Sequence, residues 1–465
     1  MKRHFYLFTI SLLLVHKVLI AQPCPSGNIL LETQEQIDNF TVLYPDCSVI
    51  EGNLEITGEA FGAGNIFHLD SLYRITEVQG NLKIAYTLEL HSLRGLEGIS
   101  RVGGRVYISF TSVDSLTGLC NLQFVGGDMQ FGENSNLKNL HGLERLQHIG
   151  DGLGFWFCHS LGSLDGLDSL STLGGYLILN SNYQLSSLEG LNLLTAIPGY
   201  LELENLPALS SLNGLEAIGS IGENLTVINN QNLQGLAGLN SLNSVGGAII
   251  IRENPLIVHL DELSQIQTLG YGIHIDSNES LENISGLSSI THIGGRNIQI
   301  CSNPVLTDIS GIANIDAISV YYIEITQNPS LSVCSFVSTC DFLQNKLGPS
   351  NIALNAEGCN SDTEVLYHCQ FLGETPLSTG HEMQIFPVPV TDAAHIRFRL
   401  PNSGHVKMEI INSLGQLVTS LVDQVLPAGE HSRVWQTSRI PAGLYSCRIQ
   451  TGNQAWLRKM LVIPG

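Results

Sequence analysis

Residues 185–191 read LSSLEGL and residues 209–215 read LSSLNGL. The copies differ at one position and lie 24 residues apart. Anchored on the small residue of L-x-G-L, the pattern falls at Ser71, Gly95, Gly118, Gly142, Gly166, Gly190, Gly214, Gly238, Glu262, Gly286 and Gly311. The intervals are 24, 23, seven of 24 and one of 25. A period held over that length is the signature of a solenoid, whose units bury their apolar faces only by stacking on their neighbours.

Within a unit the apolar spacing changes. Leu185, Leu188, Leu191, Leu194 and Ile197 step by three, then Leu201 and Leu203 step by two. A step of two is a β-strand with alternate side chains inward. A step of three suits short segments with about three residues per turn. Gly pairs such as Gly174-Gly175 and Gly246-Gly247 precede many of the strands. One strand per unit is predicted, from Leu54–Ile56 to Ile323–Ile325, giving about twelve parallel strands some 4.8 Å apart. Three residues after the last inward strand residue an Asn recurs: Asn134, Asn182, Asn230, Asn254, Asn278, Asn303 and Asn328. A regular column of buried amides can satisfy backbone groups of two successive coils, which makes it structural. Cys158 and Leu206 interrupt it.

The first residues read as an export signal. Met1-Lys2-Arg3 is followed by an uncharged run from Phe5 to Val15 and a small residue, Ala21, before Gln22. That pattern predicts a signal peptide over 1–21. The run is too short for a membrane span, and none is expected in the mature chain. Export permits disulfides. Cys24 and Cys47 flank a segment expected to cap one end of the solenoid, over 22–50. Cys334, Cys340, Cys359 and Cys369 mark an opposite cap over 332–370, with three possible pairings. The solenoid proper is expected over 51–331.

Charge divides the chain. Residues 22–380 hold 10 Lys and Arg against 37 Asp and Glu, whereas 381–465 hold 8 against 5. The acidic body makes nucleic acid an unsuitable partner. After a linker at 371–384, alternating apolar and polar runs separated by Gly, Pro and Asn predict a small β-sandwich over 385–465.

The pattern L-x-x-L-x-G-L-x-x-L-x-x-I-G-G-x-L-x-I, with its Asn turn and Cys caps, resembles the receptor L-domain and leucine-rich-repeat solenoids of bacterial surface proteins over residues 22–370. The resemblance implies an all-β, right-handed parallel β-helix-like solenoid that binds partners. The C-terminal segment resembles the sorting domain of the type IX secretion system of Bacteroidota. The matching stretches are IFPVPV (385–390), SLGQL (413–417), LPAG (426–429) and IPAGLY (440–445). The family usually has Asn between its two opening prolines, where Val388 stands here, and Pro464-Gly465 extend past its last strand. This resemblance implies export by the type IX machinery and a secreted or cell-surface destination.

No catalytic motif of the G-x-S-x-G, H-E-x-x-H or P-loop kind occurs. Neither a metal nor a cofactor is expected. In the outward column that includes Gln130, Gly154, Ile178, Glu202, Thr226 and Ile250, no two acids occupy neighbouring coils. The expectation is therefore a binding or adhesion protein for a protein or glycan rather than an enzyme. A polysaccharide-acting enzyme and a structural surface-layer component are the alternatives. Candidate ligand contacts are Trp156, Tyr176 and Tyr200, aromatic residues beside strands in successive coils, with Gly152 and Gly154 removing bulk nearby.

Overall fold

The computed structural model describes residues 24–58, 66–294, 296–369, 383–387, 389–400, 402–412, 416–438, 440–451 and 454–463. The expected signal peptide, nearly all of the linker, Ser413–Gly415, Val388 and Pro464-Gly465 lie outside them. The chain divides after Leu372 into two compact units, taken in turn here.

Among the described residues of the first unit, one parallel sheet of 14 strands runs in unbroken chain order. All twelve predicted strands belong to it, and each cap adds one more, Ile29–Leu31 and Ser350–Ala353. Strands of successive units pair in register, as in Leu177↔Leu201↔Leu225. Their pleat explains the step of two: Leu201 and Leu203 are buried while Glu202 and Glu204 face outward.

The region stepping by three is more than a loop. Leu191 N–H bonds Leu188 O and Leu194 N–H bonds Leu191 O, each a tight three-residue turn that aims one Leu inward. Ile197 then enters a two-residue strand, Ala196–Ile197. Such strands stack into two further parallel sheets, of six and five strands. The sequence reading missed them because two residues are too few to show a period.

The Gly of L-x-G-L takes φ of +106° at Gly190 and +109° at Gly214. A Cβ at Gly214 would lie 2.3 Å from Leu188 O, in the coil below. Both conformation and space therefore demand glycine. Ser71 and Glu262 sit in 3-10 helices, Asp70–Leu72 and Asp261–Leu263, where this position does not take the positive φ of Gly190 and Gly214.

The main strands end in a left-handed turn at residues that are not glycine, among them Tyr86, Phe110, Glu133, Phe157, Asn229, Glu253 and Gln327, with φ of 53–60°. Each such residue costs about 1–2 kcal/mol. The next residue is the ladder position. All seven column Asn are fully buried. Asn254 shows the pattern: its Oδ1 accepts from Asn230 N–H at 3.1 Å, and its Nδ2 donates to Val227 O at 2.9 Å and Arg252 O at 2.8 Å. Each amide thus ties its own coil to the preceding one. Asn355 extends the ladder into the C-terminal cap, accepting from Asn328 N–H at 3.0 Å. Where Thr111 occupies the column, its hydroxyl donates to Asn134 Oδ1 at 2.8 Å.

Both ends are closed by short helices. Gln34–Asp38 opens with a capping box between Thr33 and Gln36, and Ile37 and Phe40 enter the core. At the other end lie Val337–Gln344 and Asp362–Cys369. Disulfides join Cys24 to Cys47, Cys334 to Cys359 and Cys340 to Cys369. Cys120, Cys158, Cys301 and Cys447 are free thiols.

The second unit comprises two antiparallel sheets. Three strands are Met383–Phe386, Ala393–Leu400 and Gly429–Gln436; four are Gly404–Asn412, Leu417–Leu426, Gly443–Thr451 and Gln454–Val462. They share one core that includes Ile396, Met408, Trp435, Cys447 and Met460. Tyr445 Oη donates to Pro441 O at 2.8 Å, pinning the turn before its own strand.

Candidate functional site

The outward face of the main sheet is where unlike side chains accumulate, because the inward positions are committed to the core. Tyr176 and Tyr200 stand immediately before register-paired strands. Their rings stack with centroids 5.3 Å apart and planes 16° from parallel. A Cβ at Gly152 would lie 2.4 Å from the Tyr176 ring, and one at Gly154 would lie 2.1 Å from the Trp156 indole. The two glycines therefore do not leave a gap beside the aromatics; the rings lie in the space they vacate.

Tyr176 is tied down. Its hydroxyl donates to Asp128 Oδ2 at 3.0 Å and accepts from Gln130 Nε2 at 2.7 Å. Asp128 is buried and also receives Arg105 Nε at 2.5 Å. Burial, and then the charge of Asp128, push the Tyr176 pKa up to about 12, so the hydroxyl stays a donor. Tyr200 lacks that anchor, and Trp156 and Tyr200 are both half-buried with ring surface reaching solvent.

Next to the rings lies a pair of carboxylates that a column-by-column search overlooks, because both sit on one strand. Glu202 and Glu204 face outward two residues apart. Asn180 Nδ2 lies 3.3 Å from Glu202 Oε1 and 3.1 Å from Glu204 Oε2. Burial, then the neighbouring Glu202 charge, raise the Glu204 pKa. A second aromatic line also escaped the sequence reading. Tyr86 and Phe110 stack at 5.1 Å and His159 and Tyr183 at 4.5 Å, along the corner where the left-handed turn leaves the sheet. Its signal was present: Tyr86, Phe110 and Phe157 each stand four residues after a strand's first residue.

The remaining singled-out residues are structural in their surroundings. Asn134, Asn182, Asn230, Asn254, Asn278, Asn303 and Asn328 present no exposed surface, so their amides meet backbone rather than ligand. Among the described residues no group of three His, Cys, Asp or Glu is placed to hold a metal, and no helix is long and apolar enough to cross a membrane.

Fold and face together define a leucine-rich parallel β-solenoid with a decorated sheet face, followed by a separate antiparallel β unit. Residues 46–110 match the family model of the Receptor L domain, and residues 384–463 match that of the Secretion system C-terminal sorting domain. The chain carries both domains, the second being the sorting tail of the type IX system. Among curated proteins none matches the chain. A tail of this kind directs secretion to the cell surface or the extracellular space, and a Receptor L domain suggests a binding role.

Proposed function

We propose that the protein is a non-catalytic binding or adhesion protein of the bacterial surface, engaging a protein or glycan through the outward face of its main sheet. The observation that carries this reading is the union of a Receptor L domain with a sorting tail in one chain. Trp156 and Tyr200 supply the ring surface, and Tyr176, held by Asp128, backs the stack. The test is a glycan array and a pull-down with the full chain against the Trp156→Ala, Tyr200→Ala double variant. Loss of the ligand in a folded variant supports the reading; undiminished binding removes this face from it. Deletion of 384–463 tests the export route: the protein should be retained in the periplasm, and unchanged secretion refutes the route.

A second reading, a polysaccharide-acting enzyme, is favoured by the Glu202 and Glu204 pair and the raised pKa of Glu204. Hydrolysis of any glycan that Glu204→Gln abolishes would establish it in place of the first.

A further inference from the structure

Midway along the solenoid, the column that bears the two tyrosines loses its side chains. The strand residues Leu177, Leu201, Leu225, Ile249, Ile273 and Ile298 are register partners. The residues just before them therefore stack: Tyr176, Tyr200, Asn224, Ala248, Gly272 and Asn297. Tyr176 covers one face of Tyr200. The other face turns toward the coil of Asn224, and past Asn224 the column offers only a methyl group and a hydrogen. A cleft of about 780 Å³ opens there.

Gly222, Gly246 and Gly247 line it together with Glu223, Tyr271, His274 and Asn297. Asn297 lies at a β-bulge, where Arg296 pairs with Val320 and Asn297 with Tyr322. The extra residue of the bulge is Tyr321, on the facing strand Val320–Thr326. Bulges re-aim side chains and concentrate beside binding sites. Tyr271 is half exposed. Burial, then the charge of Arg252, lower the pKa of His274, so it is a neutral imidazole at pH 7.

We propose that this cleft binds a neutral oligosaccharide, one sugar ring resting on Tyr271 and its hydroxyls meeting Glu223, His274 and Asn297. Sugar hydroxyls both donate and accept, and the walls offer a carboxylate acceptor, an amide and an uncharged imidazole that does both. The methyl of Ala248 leaves room for a pyranose beside Tyr271, whose ring suits the apolar face of the sugar. Among the described residues lining the cleft none is Lys or Arg, and the 22–380 segment carries 37 acids against 10 bases. Uronate and sulfated chains are therefore repelled.

The inference rests on the binding role proposed above and gives it a site and a ligand class. The test is calorimetry of the full chain with neutral hexasaccharides of glucose, xylose, mannose and N-acetylglucosamine, beside polygalacturonate and heparin fragments. At least one neutral chain should bind and the anionic ones should not. Tyr271→Ala, the isosteric Glu223→Gln, and Ala248→Tyr, which fills the cleft, should each weaken binding about tenfold or more. Circular dichroism and melting confirm that each variant folds. Neutral-glycan binding that survives all three variants but is lost in Trp156→Ala overturns the cleft and leaves the proposed function standing. Binding of a protein alone, or only of anionic chains, also overturns the cleft and not the binding role. The absence of any ligand overturns both.

Discussion

Replacing Asn254 by Leu keeps the branched shape of the side chain and removes the amide. Four contacts go with it: Asn230 N–H and Asn230 Nδ2 to Oδ1 at 3.1 and 3.2 Å, and Nδ2 to Val227 O at 2.9 Å and to Arg252 O at 2.8 Å. Arg252 O keeps Asn229 N–H at 3.0 Å, so its loss is small. The orphaned Asn230 N–H and the weakened Val227 carbonyl dominate. At about 1 kcal/mol per net bond and 1–3 kcal/mol for a buried donor left alone, the cost is roughly 3–4 kcal/mol. Part of it, on the order of 1 kcal/mol, returns through burial of the leucine methyls. Asn232→Leu is the control. Asn232 is exposed, makes one bond to Pro207 O at 2.7 Å, and should cost under about 1 kcal/mol. Because each coil of a solenoid contacts only its neighbours, the damage should be local. Hydrogen exchange with mass spectrometry should show peptides spanning 225–232 and 249–256 losing protection by about two orders of magnitude, with coils near Leu82 unaffected. Equal effects of Asn254→Leu and Asn232→Leu, or deprotection spread over the whole unit, would refute the view that the amides join coil to coil.

The other expectations concern backbone and charge. Cys158 Sγ lies 3.9 Å from Phe131 O and 3.7 Å from Trp156 O, the carbonyl positions that column amides bind, so Cys158→Asn should raise stability by about 1 kcal/mol in denaturant titration; a loss would mean that this coil has no room for an amide. Gly214→Ala forces a Cβ to 2.3 Å from Leu188 O at a φ of +109° and should cost more than about 2 kcal/mol, whereas Glu253→Gly, at a φ of +57°, should cost nothing or add stability; matching losses would disprove the assigned roles of the two turns. Hydrogen bonds from Lys407 and then Arg448 hold the Glu409 carboxyl below its ordinary pKa, so its stabilising effect is complete above about pH 4.3 and is lost as pH falls through the lowered value. The stability gap between the native chain and Glu409→Gln should therefore be wide at pH 7 and narrow at pH 3 when followed by Trp435 fluorescence, and a constant gap would contradict this.

The fold was legible because its determinants repeat. A leucine every third residue and an Asn every 24th are the same physical requirement met coil after coil, and repetition turns a weak local preference into a strong signal. What escaped was whatever did not announce itself by residue type. The left-handed turn is occupied by Tyr, Phe, Glu, Ser, Asn and Gln, none of which marks positive φ as Gly does. The turn also precedes Thr87, Thr111, Cys158 and Leu206, so it belongs to the geometry of the coil and not to the Asn that usually follows it. Asn355 was passed over because it lies in the Cys-rich cap, although it stands three residues after Ile352 as the column rule requires. The pairing of the four cap cysteines depends on which ends the cap helices bring together, and that is a tertiary fact.

The candidate sites obey the opposite logic, and this limits what a period can disclose. Every inward column is conservative along the chain because each coil must fit the next. A binding site on such a rod can arise only where an outward column breaks step. Tyr176 and Tyr200 followed by Asn224, Ala248 and Gly272 is such a break, and so is Tyr321, the extra residue of the bulge opposite Asn297. Glu202 beside Glu204, on a strand whose neighbours carry Ile178 and Thr226 at the Glu202 position, is another. In the LSSLEGL and LSSLNGL pair the leucines and the glycine are fixed by packing, and the one difference, Glu189 against Asn213, falls at an exposed position. Specificity in a protein of this build is therefore written in departures from the repeat, and each departure can be tested by restoring the repeat at that one position.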